Sequence, residues 1–251
     1  MTTSSLTILF GVLGNIMSGL VYISPANVFW RILKRRSTEE FESIPYISKL
    51  LNAFFWIYYG IIKTDGFLIV TVNVYGAIVE IIFLTIFLLF APPKMKIRTA
   101  ILVVVFNVIF PVAAIMYMQI FLHGNTRIDF AGSLCSVFSM IAYASPLSSM
   151  KTVILTKSVE YMPFLLSLIL FLNSVVWTVY AYLLKDYFVG IPNVSGFVLG
   201  SIQLILYAMY WRPNSSSMQI EHPINDLEDP LITKPTNDQF FLNDHQSLDV
   251  V

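Results

Sequence analysis

Along the first 211 residues, long apolar runs alternate with short breaks that carry charge, Pro or Gly. The runs fall at about 6–28, 44–62, 67–90, 99–121, 130–150, 163–184 and 188–210. Each approaches or exceeds the roughly 20 residues that an α-helix needs to cross the hydrocarbon core. None alternates in the segments of about ten residues that a closed β-barrel would require, so the pattern predicts membrane-spanning helices. The polar landmarks inside these runs occur twice. Tyr22 to Leu89 contains Ser24-Pro25, Pro45, Trp56-x-x-Tyr59 and Asn73-Val-x-Gly76; Tyr143 to Tyr210 contains Ser145-Pro146, Pro163, Trp177-x-x-Tyr180 and Asn193-Val-x-Gly196. The offsets are 121 for the Ser-Pro pairs and the tryptophans, and 120 for the asparagines. An internal duplication accounts for this, and it places function where the two copies meet.

The odd number of spans follows from that duplication. Three crossings leave the chain on the opposite side, so a fourth must return it before a second copy can begin in the same orientation. Thr99 to Phe121 lacks every landmark and is the expected return. The predicted organisation is an all-α membrane protein of seven transmembrane helices, two parallel three-helix bundles joined by a linker helix. A first repeat covers 1–98, an inversion linker 99–129, a second repeat 130–211 and a disordered tail 212–251.

Composition agrees with immersion in lipid. The 251-residue chain is 57% hydrophobic and 12% charged, with mean hydropathy +0.74, against roughly 25% charged residues in soluble domains. Net charge is zero, so nothing points to nucleic acid as a partner. The lone Cys135 excludes an intramolecular disulfide and supports no cysteine metal site. The first run lacks a basic leader and continues to Trp30, which reads as a retained span, not a cleaved signal. Arg31, Lys34, Arg35, Arg36, Lys94, Lys96, Arg98, Lys151, Lys157 and Arg212 collect on one side, and Lys63, Arg127 and Lys185 on the other. The positive-inside rule then puts the C-terminus in the cytosol and the N-terminus outside or in a lumen. Lys49, near the cytosolic start of the second span, reads as a snorkelling end anchor. In the tail, Glu228, Asp229, Leu231 and Ile232 resemble an acidic dileucine sorting signal displaced by one residue.

Signatures of an enzyme are absent: there is no His-Glu-x-x-His, Gly-x-Ser-x-Gly or Walker loop. The polar groups within the spans are mostly uncharged, which suits a neutral, hydroxyl-rich solute and needs no cofactor or metal. Asn73 and Asn193 offer amide donors and an acceptor to such hydroxyls; the alternative is helix-to-helix glue. Trp56 and Trp177 can stack on a sugar's C–H face, with Tyr59 and Tyr180 as rim or gate; the alternative is an interfacial aromatic belt. Pro25, Pro45, Pro146 and Pro163, at matched cytosolic positions, suggest a ring of hinges or a gate, where isolated prolines would mean ordinary kinks. Glu80 is the one acid deep in a span. Its counterpart is Gly200, so it either stays protonated or hydrogen-bonded in the bundle, or titrates during transport.

A seven-span chain with a duplicated Ser-Pro…Pro…Trp-x-x-Tyr…Asn-x-x-Gly unit, and with Thr156-Lys-Ser-Val-Glu-Tyr-Met-Pro163, resembles the plant SWEET sugar transporters over about residues 6 to 211. The resemblance implies downhill sugar transport by alternating access. It implies Asn73 and Asn193 as the sugar-binding pair, Trp177 as a pocket wall, the four prolines as cytosolic hinges, and Tyr59 and Asp186 near the extracytosolic gate. It also ties the choice between mono- and disaccharide to Val21, Asn52, Ala142 and Asn173. Sucrose carriers tend to have Ser where this chain has Asn52 and Asn173, so a hexose, fructose or glucose, is the expected substrate, and Trp56 narrows the pocket further. Lys34-Arg-Arg-Ser-Thr-Glu-Glu and Met150-Lys-Thr-Val are closest to the vacuolar branch, which suggests the tonoplast before the plasma membrane; a homo-oligomer is also implied. Two rivals remain. A proton-coupled symporter would respond to a collapsed pH gradient, whereas a seven-span receptor or scaffold would bind sugar without moving it.

Overall fold

The computed structural model describes residues 5–160 and 162–211. The expected tail, its dileucine-like stretch and Arg212 lie outside the described residues. The first span is two helices, α1 (Ser5–Ile23) and α2 (Ala26–Arg35). Proline at 25 has no N–H to donate and clashes with the carbonyl four residues earlier. The freed Val21 carbonyl accepts instead from Ser24 N at 3.2 Å and Ser24 Oγ at 2.8 Å, a local turn that ends α1. Next come α3 (Ile44–Ile62), α4 (Phe67–Phe90), α5 (Pro93–Val103), a π-helical turn (Val104–Ile109) and α6 (Phe110–Phe121). That turn lies just ahead of Pro111, where the ladder must widen to spare the proline ring. The second copy is α7 (Gly124–Ala142), α8 (Ala144–Thr156), α9 (Phe164–Leu184) and α10 (Tyr187–Tyr210), with α7 and α8 broken at Tyr143, just before Pro146.

Three expected bounds change. The first span extends to Arg35, the linker begins at Pro93, and the fifth span runs from Gly124 through Thr156. Hydropathy missed the extensions because they carry charged and polar residues, such as Lys94, Lys96, Arg127, Asp129 and Lys151. α2 buries only Phe29 and Ile32, while its Arg and Lys residues face outward. The four prolines sit in different local settings. Pro45 lies in the first turn of α3 and Pro163 immediately precedes α9, where a missing N–H goes unneeded. Only Pro25 and Pro146 of the four interrupt a span.

Among the described residues, six helical spans are long and apolar enough to cross a membrane on those criteria alone. The seventh crossing is α3, whose 19 residues cover about 28 Å at 1.5 Å each. Lys49, Asn52, Trp56, Tyr58 and Tyr59 dilute its hydropathy, and all but Lys49 and Asn52 are buried.

Within each repeat the last helix packs between the other two, α1–α4–α3 and α7–α10–α9. Across the repeats α1 packs on α9 and α3 on α7, which closes a six-helix ring. The linker, α5 to α6, lies outside it against α3, with α6 also touching α7. Small residues permit these approaches. A Cβ on Gly132 would lie 2.9 Å from the Tyr59 ring, and one on Gly11 2.8 Å from the Tyr180 ring.

The buried apolar side chains divide the ring lengthwise. One cluster joins both repeats and contains Trp56, Tyr59, Trp177, Tyr180 and Val189. Towards the Pro25/Pro146 end the core is instead two separate clusters. One is built around Phe29, Tyr46, Phe83 and Phe87 of the first repeat, and the other around Met150, Val153, Met162 and Leu206 of the second.

Candidate functional site

A cavity of about 180 Å³ lies between the repeats. Asn52, Trp56 and Asn73 line it from the first repeat and Asn173, Trp177 and Asn193 from the second, so three matched pairs of expected residues meet in one place. Ser18, Tyr22, Ser139 and Tyr143 complete the polar wall, and Ile69, Val72, Val189 and Pro192 the apolar one.

The asparagines on α4 and α10 do not glue helices together strongly. Asn73 Nδ2 donates to Ile69 O and Asn193 Nδ2 to Val189 O, each 2.8 Å away on its own helix. This turns the amide oxygens away from the backbone; Asn73 Oδ1 accepts only a long 3.5 Å bond from Tyr22. Acceptors therefore remain for solute hydroxyls.

Each tryptophan is held by the opposite repeat. Trp177 Nε1 donates to Ser18 Oγ at 2.9 Å, and that hydroxyl donates to Asn173 Oδ1 at 2.8 Å. Trp56 Nε1 donates to Ser139 Oγ at 3.1 Å, and Ser139 donates to Asn52 Oδ1 at 3.3 Å. The two relays use equivalent residues: Ser18 and Ser139 stand 121 apart, the offset of the tryptophans themselves. With Oδ1 occupied, Asn52 and Asn173 keep their amide N–H donors for the cavity. Both indoles are buried, as are Tyr59 and Tyr180, so none belongs to a lipid-facing aromatic belt.

The tyrosines close one end. Tyr59 Oη donates to both oxygens of the buried Asp186 carboxylate at 2.9 and 3.1 Å. Lys63 Nζ pairs with the same carboxylate. Asp186 also caps α10, accepting from Phe188 N at 3.1 Å and Val189 N at 3.2 Å. Tyr180 Oη makes a weaker 3.4 Å bond to the Asp65 carbonyl. The end is therefore matched in its tyrosines and unmatched in its charge.

Other expected residues are placed differently. Ala142 lines a neighbouring cavity, Val21 lines neither cavity, and the next residues along, Tyr22 and Tyr143, line the central one. Glu80 is fully buried, with Lys49 Nζ 3.6 Å away and no hydrogen bond to either oxygen. Lys49 reaches inward to that carboxylate, so the end-anchor reading of it is incomplete. Sequence reasoning missed Ser18, Ser139, Tyr22, Tyr143 and Lys63. The first four were findable, since both pairs keep the 121-residue offset.

Comparison with known proteins fits this geometry. A family model described as "Sugar efflux transporter for intercellular exchange" matches the chain twice, at residues 8–95 and 129–215. The chain belongs to the SWEET family. Its relatives include Arabidopsis thaliana proteins named bidirectional sugar transporters SWEET17 and SWEET16. SWEET17 is 49% identical over 89% of this chain and 94% of its own, and SWEET16 47% over 82% and 90%. The solved structure of a eukaryotic SWEET transporter superposes with a TM-score of 0.79 at 35% identity, covering 82% of this chain and 96% of that one. The segment between the two matched copies contains most of the linker helix, so the SWEET repeat and the structural repeat coincide there.

Proposed function

We propose that this chain is a facilitative, bidirectional hexose carrier that binds fructose or glucose in the central cavity and works by alternating access; it is a transporter, not an enzyme. One observation carries the reading: two equivalent sets of Asn, Trp and Ser from the two repeats line a single uncharged cavity. Asn73 and Asn193 accept from sugar hydroxyls, Asn52 and Asn173 donate to them, and Trp56 and Trp177 cover the ring's apolar face. Val21 and Ala142 act at the cavity's edge. Tyr59, Tyr180 and Asp186 form the extracytosolic gate, while Pro25 and Pro146 are the hinges at the cytosolic end, with Pro45 and Pro163 fixing where the neighbouring helices begin. The two repeats move against each other around the linker helix, Pro93–Phe121. Likeness to SWEET17 and SWEET16 and the basic wording of 34–40 favour the tonoplast, with the plasma membrane second. The loop charges favour a cytosolic C-terminus, and the family favours a homo-oligomer.

Proteoliposomes test this. Labelled hexose should equilibrate without a pH gradient, and Asn73→Ala or Asn193→Ala should reduce uptake while leaving the protein monodisperse. Losing a buried hydroxyl partner costs roughly 1–3 kcal/mol, about ten- to a hundredfold in affinity. Near-normal flux from both variants would refute the site. Dependence on a pH gradient would replace facilitation by proton coupling, and sugar binding without flux would make the chain a receptor.

A further inference from the structure

The duplication predicts two equivalent three-helix interiors, yet one is packed and the other hollow. In the first repeat Phe29 stacks on Phe83 with ring centroids 4.1 Å apart, Tyr46 meets Phe29 edge-on at 4.8 Å, and Glu80 lies beneath with Lys49. In the second repeat none of the residues at the same offsets is aromatic or charged. Ser167 replaces Tyr46 and Leu170 replaces Lys49 at 121; Gly200 replaces Glu80 and Gln203 replaces Phe83 at 120. A chamber of about 320 Å³ opens in their place between α8, α9 and α10.

Three features make this more than a packing fault. The chamber adjoins the central cavity, because Tyr143, Asn173 and Asn193 line both. Ser167 and Gln203, only 3% and 6% exposed, line it, and neither makes a hydrogen bond among the described residues. Their hydroxyl and amide therefore keep donors and acceptors free for a molecule in the chamber. Finally, Leu166, Leu170, Leu199 and Met162 supply apolar wall and no charged side chain lines the chamber. Polar handles on an apolar wall, with no charge, suit a neutral polyol and exclude an ion.

We propose that this chamber is a second sugar subsite, present in the second repeat alone, in which the Ser167 hydroxyl and the Gln203 amide hold a hexose beside the central cavity. The subsite rests on the chain being a sugar carrier, but not on Asn73, which lines the central cavity and not the chamber. A hexose waiting there lies next to Asn173 and Asn193 and needs only a short displacement to enter the central cavity. The first repeat cannot hold a counterpart, since Tyr46, Glu80 and Phe83 occupy the space. Entry and release at the Pro25/Pro146 end are therefore lopsided in a carrier whose central cavity is symmetric.

Cysteine protection tests the proposal. Cys135 is buried and gives a low background, so Leu170→Cys introduces one reporter thiol on the chamber wall. The detergent-purified variant, verified as monodisperse, is modified with a small methanethiosulfonate reagent, with and without saturating D-glucose or D-fructose. Modification should proceed without sugar and slow severalfold with it. The slowing should persist when Asn73→Ala is added and vanish when Ser167→Ala and Gln203→Ala are added. Absence of modification without sugar, absence of protection by either hexose, protection that disappears with Asn73→Ala alone, or protection that survives loss of Ser167 and Gln203 would each overturn the subsite. Failure of the central site has a separate signature: Asn73→Ala would leave flux unchanged, whatever the thiol reports.

Discussion

The two ends of the six-helix ring are built from equivalent helices but are held in different ways. At the Lys63/Asp186 end the repeats interlock: Tyr59 and Lys63 of the first repeat converge on Asp186 of the second, and a shared aromatic core lies beneath. At the Pro25/Pro146 end each repeat packs on itself, α2 against α4 and α8 against α10, with separate cores. In the carrier proposed above, the first arrangement is the closed gate and the second the open one. Closing the open end requires new contacts between α2 and α8, whereas opening the closed end requires Asp186 to lose its partners. The barrier to opening the Lys63/Asp186 end is therefore concentrated in a few bonds.

Asp186→Ala should make the largest difference. It removes the carboxylate that Lys63 and Tyr59 share, leaving the partly exposed ammonium only its 3.0 Å bond to Tyr59 Oη, and it uncaps α10. Lost charge-assisted hydrogen bonds are worth about 1.5–3 kcal/mol each, so the detergent-solubilised melting temperature should fall by several degrees. A reporter cysteine near Tyr180 should also become reactive from the Lys63/Asp186 end. Unchanged stability would mean that the end is closed by the aromatic core instead.

The serine relays come next, because they cross between the repeats at the boundary of the two ends. Ser18→Ala leaves Trp177 Nε1 and Asn173 Oδ1 unpaired, and Ser139→Ala does the same to Trp56 and Asn52. Each should raise the hexose KM by about tenfold to a hundredfold, the equivalent of roughly 1–3 kcal/mol. Because the relays are equivalent, the two effects should be similar. A defect confined to one serine would show that only one tryptophan faces the sugar.

How much of this was legible in the sequence depends on whether a feature repeats. The ring, the linker and the Asn and Trp pairs follow from hydropathy and a constant offset. Ser18 and Ser139 carried the same offset but are ordinary residues in an apolar run, and their role emerges only when α1 meets α9 and α7 meets α3. Features present once were hidden for a different reason. The Lys63–Asp186 pair joins residues 123 apart in different repeats, and nothing in either helix's periodicity points to the other. The chamber is a missing volume, visible only once Ser167, Gly200 and Gln203 are set against Tyr46, Glu80 and Phe83.

Pro25→Ala and Pro146→Ala address the open end. Each restores a backbone N–H within a broken span and should favour one continuous helix. Equilibrium hexose binding should be little changed, while counterflow slows severalfold, because the turn at Ser24–Pro25 or Tyr143 no longer bends as the repeats close. Equal losses of binding and exchange would assign these prolines to folding instead of movement.

The smallest expected effect is also the one on which sequence symmetry and structure disagree. Asn52 and Asn173 are equivalent by offset, so shortening either to Ser should enlarge the central cavity equally and admit part of a disaccharide. Their surroundings differ. Asn52 lines the central cavity alone, whereas Asn173 also lines the chamber of the second repeat. Asn173→Ser therefore widens the doorway between the two spaces, and a second sugar ring then has somewhere to go. Behind Asn52 stand Lys49, Glu80 and the packed Phe29–Tyr46–Phe83 cluster, which give no such room. Unlabelled sucrose should compete with labelled hexose uptake severalfold better in Asn173→Ser than in Asn52→Ser. The double variant should exceed both, at the cost of weaker hexose uptake as the Ser18 and Ser139 relays lose their amide acceptors. Filling the chamber with Gln203→Phe, the residue of the first repeat, should cancel the gain of Asn173→Ser and leave that of Asn52→Ser untouched. Equal gains from the two single variants, or a gain indifferent to Gln203→Phe, would mean that size selection is confined to the symmetric central cavity.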